Sequence, residues 1–209
     1  MSEVEFFLFP GSTYSYLSVM RISDVAARAG VTVRWRPFNV RAIMVEMDNR
    51  FLAGRLDGKP VKYRYMWRDI ERRAARHGIP FTTHPAHPVD PEALALRVSL
   101  VAAEEGWCED FLRASYTAWF LEHRSPGTGE VTQQVVATLG RDADAVVARA
   151  ASPEITAKMA SETDEARRLG IFGSPSFVVG TELFWGDDRL EEAIEWAQRS
   201  GLASPMPLF

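Results

Sequence analysis

The chain opens on a continuous apolar run, Val4 to Phe9, closed by Pro10-Gly11. A run this short, with no polar alternation, predicts a strand buried on both faces. After Ser12 the apolar positions Leu17, Met20, Val25 and Ala26 recur at helical spacing until Gly30, which predicts one helix with a glycine stop. Val31 to Phe38 then alternates, with Val31, Val33 and Trp35 set between polar residues, as a second strand does. The opening therefore reads β-α-β.

From Pro37 the pattern becomes helical for more than half of the chain. Val61 to His77 places Tyr63, Trp67, Ile70 and Ala74 on one face and Arg68, Asp69, Arg72 and Arg73 opposite. Asp90 as N-cap, with Pro91 at the first helical position, predicts a helix that stops at Gly106. Further helices are expected over Phe111 to His123, Glu130 to Leu139 and Asp142 to Ala151, and one more from Ser152-Pro153-Glu154 to Gly170. The end of the chain returns to strands. Ser176 to Val179 and Glu182 to Trp185 flank Gly180-Thr181, the spacing of a tight hairpin. Asp187 or Asp188 then caps a last helix carrying Leu190, Ile194 and Ala197 and ending at Gly201.

The order is thus β-α-β, a helical block, then β-β-α. It divides the chain into a unit of residues 1–38 with 171–209 and an all-helical insertion of residues 39–170. A length of 209 residues and a hydrophobic fraction of 46% suit one domain enlarged in this way.

Charge removes some functions. The formal net charge of −4, with 24 basic and 28 acidic residues interspersed, is not the footprint of a nucleic-acid binder. No segment reaches the roughly 18 apolar residues of a membrane span, so no membrane partner is expected. The start Met1-Ser2-Glu3-Val4-Glu5 lacks the basic and small-residue features of a secretory signal, which makes the cytoplasm the expected compartment. The single cysteine, Cys108, allows no intrachain disulfide and no dithiol couple, and reads as a small packed hydrophobe. Of the four histidines, His84 and His87 share a proline-rich loop but have no third ligand at useful spacing, so no metal is expected.

Two short motifs carry the chemistry: Ser12-Thr13-Tyr14-Ser15-Tyr16-Leu17 after the first strand, and Gly173-Ser174-Pro175 before the third. With the element order, they resemble a thioredoxin-like active site of the DsbA-like kind, in which both cysteines of the first-helix motif have become serine. Arg36-Pro37-Phe38, the stretch Lys62 to Arg73, Gly170 to Val179 and Phe184 to Leu190 extend the likeness along the chain. The chain resembles the 2-hydroxychromene-2-carboxylate isomerases and the kappa-class glutathione transferases. That resemblance implies an α/β thioredoxin-like fold with a large helical insertion, glutathione as cofactor, a small aromatic substrate and a homodimer. Three positions depart from the family pattern: Thr13 where it has proline, Phe9 where it has aspartate, and His87 where the isomerases often carry a substrate-contacting asparagine. The first two flank the reactive centre and bear on substrate and rate more than on fold.

A thiolate needs a positive local potential, which the amino end of a helix provides. Ser12, placed there, serves either as an ordinary N-cap or as a hydrogen-bond donor that lowers the pKa of a bound sulfur. The downstream serine-proline loop favours the second role. A cis Ser174–Pro175 bond leaves the N–H and carbonyl of Ser174 to pair with the extended cysteinyl unit of glutathione. Asp187 and Asp188 match positions that take the γ-glutamyl ammonium in the kappa class, though helix capping accounts for one of them equally well. Asn49 and Lys62 match residues that contact glutathione or a substrate carboxylate, with a solvated face as the plain alternative for Lys62. His87 faces either substrate or solvent, and Trp67, Trp119 and Phe120 are candidate pocket walls.

The activity this implies is a glutathione-dependent cis-trans isomerisation. The alternatives are a kappa-like transferase using the same thiolate, and a non-catalytic thioredoxin-like module that binds peptides.

Overall fold

The computed structural model describes residues 2–47, 60–82 and 84–202. Four strands form one sheet in the order β2-β1-β3-β4: β1 (Glu3–Leu8), β2 (Thr32–Pro37), β3 (Ser176–Val179) and β4 (Glu182–Trp185). β1 runs parallel to β2 and antiparallel to β3, and β3 and β4 are antiparallel. Residues of β1 alternate between two cores, as a doubly covered strand must. Val4, Phe6 and Leu8 join one cluster, with Phe6 stacked on Phe177 at 5.0 Å. Phe7 and Phe9 join the other with Phe38, Ile43 and Leu96.

The helices that follow β1 are α1 (Thr13–Val19) and α2 (Ile22–Ala29). The single helix expected there is broken at Arg21, whose φ of −138° leaves helical geometry. Its guanidinium turns inward to Asp187, 3.0 Å away, and a straight helix would not aim it so. Between β2 and β3 come α3 (Val40–Glu46), α4 (Pro60–His77), α5 (Leu94–Glu105), α6 (Cys108–Phe120), α7 (Gly129–Thr138), α8 (Ala143–Ala150) and α9 (Pro153–Arg168). α10 (Leu190–Leu202) closes the chain.

α5 begins later than expected, at Leu94 rather than at Pro91. Asp90 and Ala93 have φ of 57° and 55°, so the chain turns before the helix starts. Asp90 still caps it from a distance, because its carboxylate accepts the N–H groups of Ala95 and Leu96 at 3.0 and 3.1 Å. Gly127 fits against this residue, where a Cβ would stand 2.2 Å from the Asp90 Oδ1. α6 starts at Cys108 instead of Phe111 and ends at Phe120. Neither Asp187 nor Asp188 is the N-cap of the last helix. Residues Asp187–Arg189 form a 3-10 turn that runs straight into α10.

Among the described residues no helix is long and apolar enough to cross a membrane. None of their His, Cys, Asp and Glu side chains form a group of three or more that could hold a metal ion.

Candidate active site

The sheet brings the two motifs together. β1 and β3 are antiparallel with Phe7 opposite Ser176, so the loop that leads into β3 lies beside the turn that leaves β1. The turn is closed by the Ser12 N–H donating to the Phe9 carbonyl at 2.9 Å, and α1 starts at the next residue. The Ser174–Pro175 bond is cis, as is His87–Pro88.

Ser12 has two partners. Its Oγ accepts the Ser15 N–H at 3.2 Å, which makes it the N-cap of α1, and donates to the Ser174 carbonyl at 3.0 Å. The carbonyl expected to face an incoming peptide is thus already engaged by the serine hydroxyl. The Ser174 side chain ties the motifs a second time. Its Oγ accepts the Phe9 N–H at 2.8 Å and lies 2.8 Å from Ser15 Oγ. Tyr116, on α6, supports the turn from below through its hydroxyl, 3.1 Å from the Ser12 carbonyl and 3.3 Å from that of Phe9. Burial raises its pKa, so it stays a neutral donor. Sequence reasoning missed Tyr116, since its spacing with Phe111, Trp119 and Phe120 is simply that of a buried helix face.

These groups border a cavity of about 740 Å³. One side is Ser12, Ser174 and Pro175, and the other comes from α3 and α4 through Met44, Lys62, Tyr65 and Met66. Phe172 and Trp185, in ring contact at 4.8 Å, stand at the rim and are 38% and 53% exposed. Trp185 packs closely on Gly173, where a Cβ would come within 2.2 Å of the indole Nε1. The aromatics proposed as walls do not line the cavity. Trp67, Trp119 and Phe120 are 1% exposed or less and form the core behind it, with Trp119 donating to the Ala86 carbonyl at 2.7 Å.

Asp187 and Asp188 divide sharply. Asp187 is 1% exposed, with its Oδ1 accepting from Ser18 at 2.9 Å and from Arg21, and its Oδ2 from Arg73 at 2.6 and 2.9 Å. Both oxygens are thereby occupied by internal donors, whereas the side chain of Asp188 is half exposed at the cavity edge. Lys62 lines the cavity and Asn49 lies outside the described residues. His87 also lines it, against Tyr63, Trp67 and Trp119. Burial, with the Arg41 charge nearby, lowers its pKa to about 4, so the imidazole is neutral. Among the described residues its Nδ1 is buried without a hydrogen-bond partner. Cys108, buried in the core, has a thiol pKa pushed up by burial and is no nucleophile.

The structure thus sets serine at both motif positions, Ser12 and Ser15, against the Ser174–Pro175 loop of a thioredoxin-type sheet beside an open cavity. Residues 3–195 match the DSBA-like thioredoxin domain, and the chain belongs to that family. It is 27% identical over 188 residues to a 2-hydroxychromene-2-carboxylate isomerase of Sphingobium xenophagum, covering 90% of this chain and 94% of that one. Glutathione s-transferase kappa 2 of Caenorhabditis elegans is 25% identical over 210 residues, covering 92% and 90%. A solved structure of 2-hydroxychromene-2-carboxylate isomerase superposes with a TM-score of 0.81 at 25% identity, over 97% of this chain and all of that one.

Proposed function

We propose that the protein is a glutathione-dependent isomerase of the 2-hydroxychromene-2-carboxylate type. The observation that carries this reading is the contact between Ser12 Oγ and Ser174 at the edge of the cavity, in a chain without a cysteine at either motif. The cavity has the size and the mixed lining that a tripeptide and an aromatic ligand need together. Bound glutathione supplies a thiolate that adds to a conjugated double bond and departs once the bond has rotated, splitting one high barrier into smaller ones.

The residues of this chain prepare the site. Ser12 turns its proton from the Ser174 carbonyl to the sulfur, stabilising the thiolate beside the unpaired N–H groups of α1. The Ser174 carbonyl thus released becomes an acceptor for the cysteinyl N–H of the ligand. Asp188 takes the ammonium end, and the rim aromatics Phe172 and Trp185 cover the second substrate. A kappa-like transfer, in which the same thiolate remains on an electrophile, uses the same residues, and the nematode relative favours keeping it as the second reading. A cytoplasmic location and a homodimer belong to the same proposal.

The test is calorimetric titration of glutathione into the wild type and Ser12→Ala, with the ultraviolet absorbance of the thiolate followed at neutral pH. The expected result is binding to the wild type with thiolate present, and loss of the thiolate signal in the variant. Absence of binding to the wild type overturns both enzymatic readings and leaves the peptide-binding module.

A further inference from the structure

The hydroxyl groups behind the two motifs form a chain whose direction is fixed at one end. Tyr116 lies against two carbonyl oxygens, those of Ser12 and Phe9, at 3.1 and 3.3 Å. A carbonyl only accepts, so the one proton of Tyr116 is committed there. Its oxygen is also hydrogen-bonded to the Ser15 side chain, and in that bond Tyr116 is left to accept. The single proton of Ser15, a residue 0% exposed, therefore goes to Tyr116. Ser15 Oγ is 2.8 Å from Ser174 Oγ, and with its own proton engaged it receives that of Ser174. Ser174 Oγ in turn accepts the Phe9 N–H at 2.8 Å. The protons thus run one way, from Phe9 through Ser174, Ser15 and Tyr116 to the backbone at Ser12.

This direction decides what the cavity meets. Ser174 borders the cavity, but its proton points inward to Ser15. Thr13 and Tyr14 also border it and give their protons to the Met66 sulfur at 3.5 Å and to Asp69 at 3.0 Å. Among the described residues of the two motifs that line the cavity, Ser12 alone holds its proton on the Ser174 carbonyl, the group expected to pair with an extended ligand.

Resting on the glutathione-dependent reading above, we propose that Ser15 and Tyr116 are positioning residues that turn the Ser174 proton away from the ligand and leave Ser12 as the one hydroxyl donor to its sulfur. Neither of them touches the ligand. The second motif serine then has a use of its own besides standing where a cysteine would. One consequence separates this role from simple packing. Without the Ser15 hydroxyl, the Ser174 proton loses its inner acceptor and turns to the cavity. Without the Tyr116 hydroxyl, the Ser15 proton turns back onto Ser174 and drives the Ser174 proton outward in the same way. Either change supplies a second donor to the sulfur.

The test follows the ultraviolet absorbance of the bound glutathione thiolate against pH in the wild type, in Ser12→Ala, and in Ser12→Ala combined with Ser15→Ala or with Tyr116→Phe. Each addition to Ser12→Ala is expected to raise the ionisation constant of the bound thiol about tenfold, the effect of one hydrogen bond to a charged group. Residues that only pack would lower it or leave it alone, so the absence of a gain in both double variants overturns the proposal. The ligand-free protein gives a second, independent readout. Buried hydroxyl protons exchange slowly enough for proton NMR, and nuclear Overhauser contacts are expected to place the Ser15 proton against the Tyr116 ring and the Ser174 proton against the Ser15 methylene. The same spectra report whether each variant is folded. A Ser15 proton found on the Ser174 side overturns the proposal without reference to glutathione. A wild type that binds no glutathione removes the cofactor and overturns the part given to Ser12, while the chain itself stands or falls on the hydroxyl signals.

Discussion

Single side chains in this site have two tasks, and the division between them can be measured. Ser12 caps α1 through its oxygen and spends its one proton on Ser174 in the ligand-free protein. Ser12→Ala therefore costs about 1 kcal/mol of stability as a lost cap, whatever it does to sulfur. A urea titration of the variant checks this, and a loss of several kcal/mol would mean that the hydroxyl holds the two motifs together. His87 gives a prediction with a sign. Its pKa in the fold is about 4 against about 6.5 when unfolded, so between these values the unfolded chain binds a proton that the folded chain refuses. Stability from this group is unchanged above pH 6.5 and falls as the pH drops toward 4. His87→Asn should lose less stability than the wild type between pH 7 and pH 4.5, and equal losses would count against a neutral buried imidazole. The placement of Ser12, Ser174 and a cis Pro175 at one cavity was legible because their motifs are local. Tyr116 was not, since it reaches the turn from a helix distant in sequence.

At the scale of elements, the helical periodicities were read correctly in kind and misplaced at ends where side chains override local rules. The stop at Gly30 was read, but the break at Arg21 depends on a carboxylate at position 187 that no window around α1 contains. The start of α5 depends on Asp90 in a left-handed conformation packed against Gly127. Asp90→Ala removes two acceptors from buried N–H groups and should destabilise by about 2 kcal/mol, whereas Asp90→Asn keeps one acceptor and the tolerance for positive φ. Thermal unfolding of the pair checks this ranking. If the two variants unfold at the same temperature, the carboxylate is not what starts the helix.

For the whole molecule, Asp187 joins parts that the sheet does not. It binds Ser18 of α1, Arg21 ahead of α2 and Arg73 of α4, and so fastens the turn before α10 to the helices above the cavity. Removing it strands the partly buried Arg73 and takes from the buried Arg21 one of its two carboxylate partners, the other being Glu191, so Asp187→Ala should cost about 3 kcal/mol. Asp188→Ala should lie within about 0.5 kcal/mol of the wild type and weaken glutathione binding instead. Denaturant titration and calorimetry on both variants separate the structural acid from the one proposed to bind glutathione. A stable Asp187→Ala protein would mean that the network is dispensable. Adjacent in sequence and chemically identical, the two aspartates could be told apart only by their surroundings.

The serines that meet in the site are 162 residues apart, and β1 lies between an early neighbour, β2, and a late one, β3. During synthesis the helices after β2 are made while one edge of β1 still lacks its partner, and the pairing of Ser12 with Ser174 does not exist in any fragment that stops before β3. Its appearance is therefore a report of completion. On the glutathione reading proposed above, binding of glutathione during refolding would time the arrival of the last hairpin, whereas helical signals would register events that precede it.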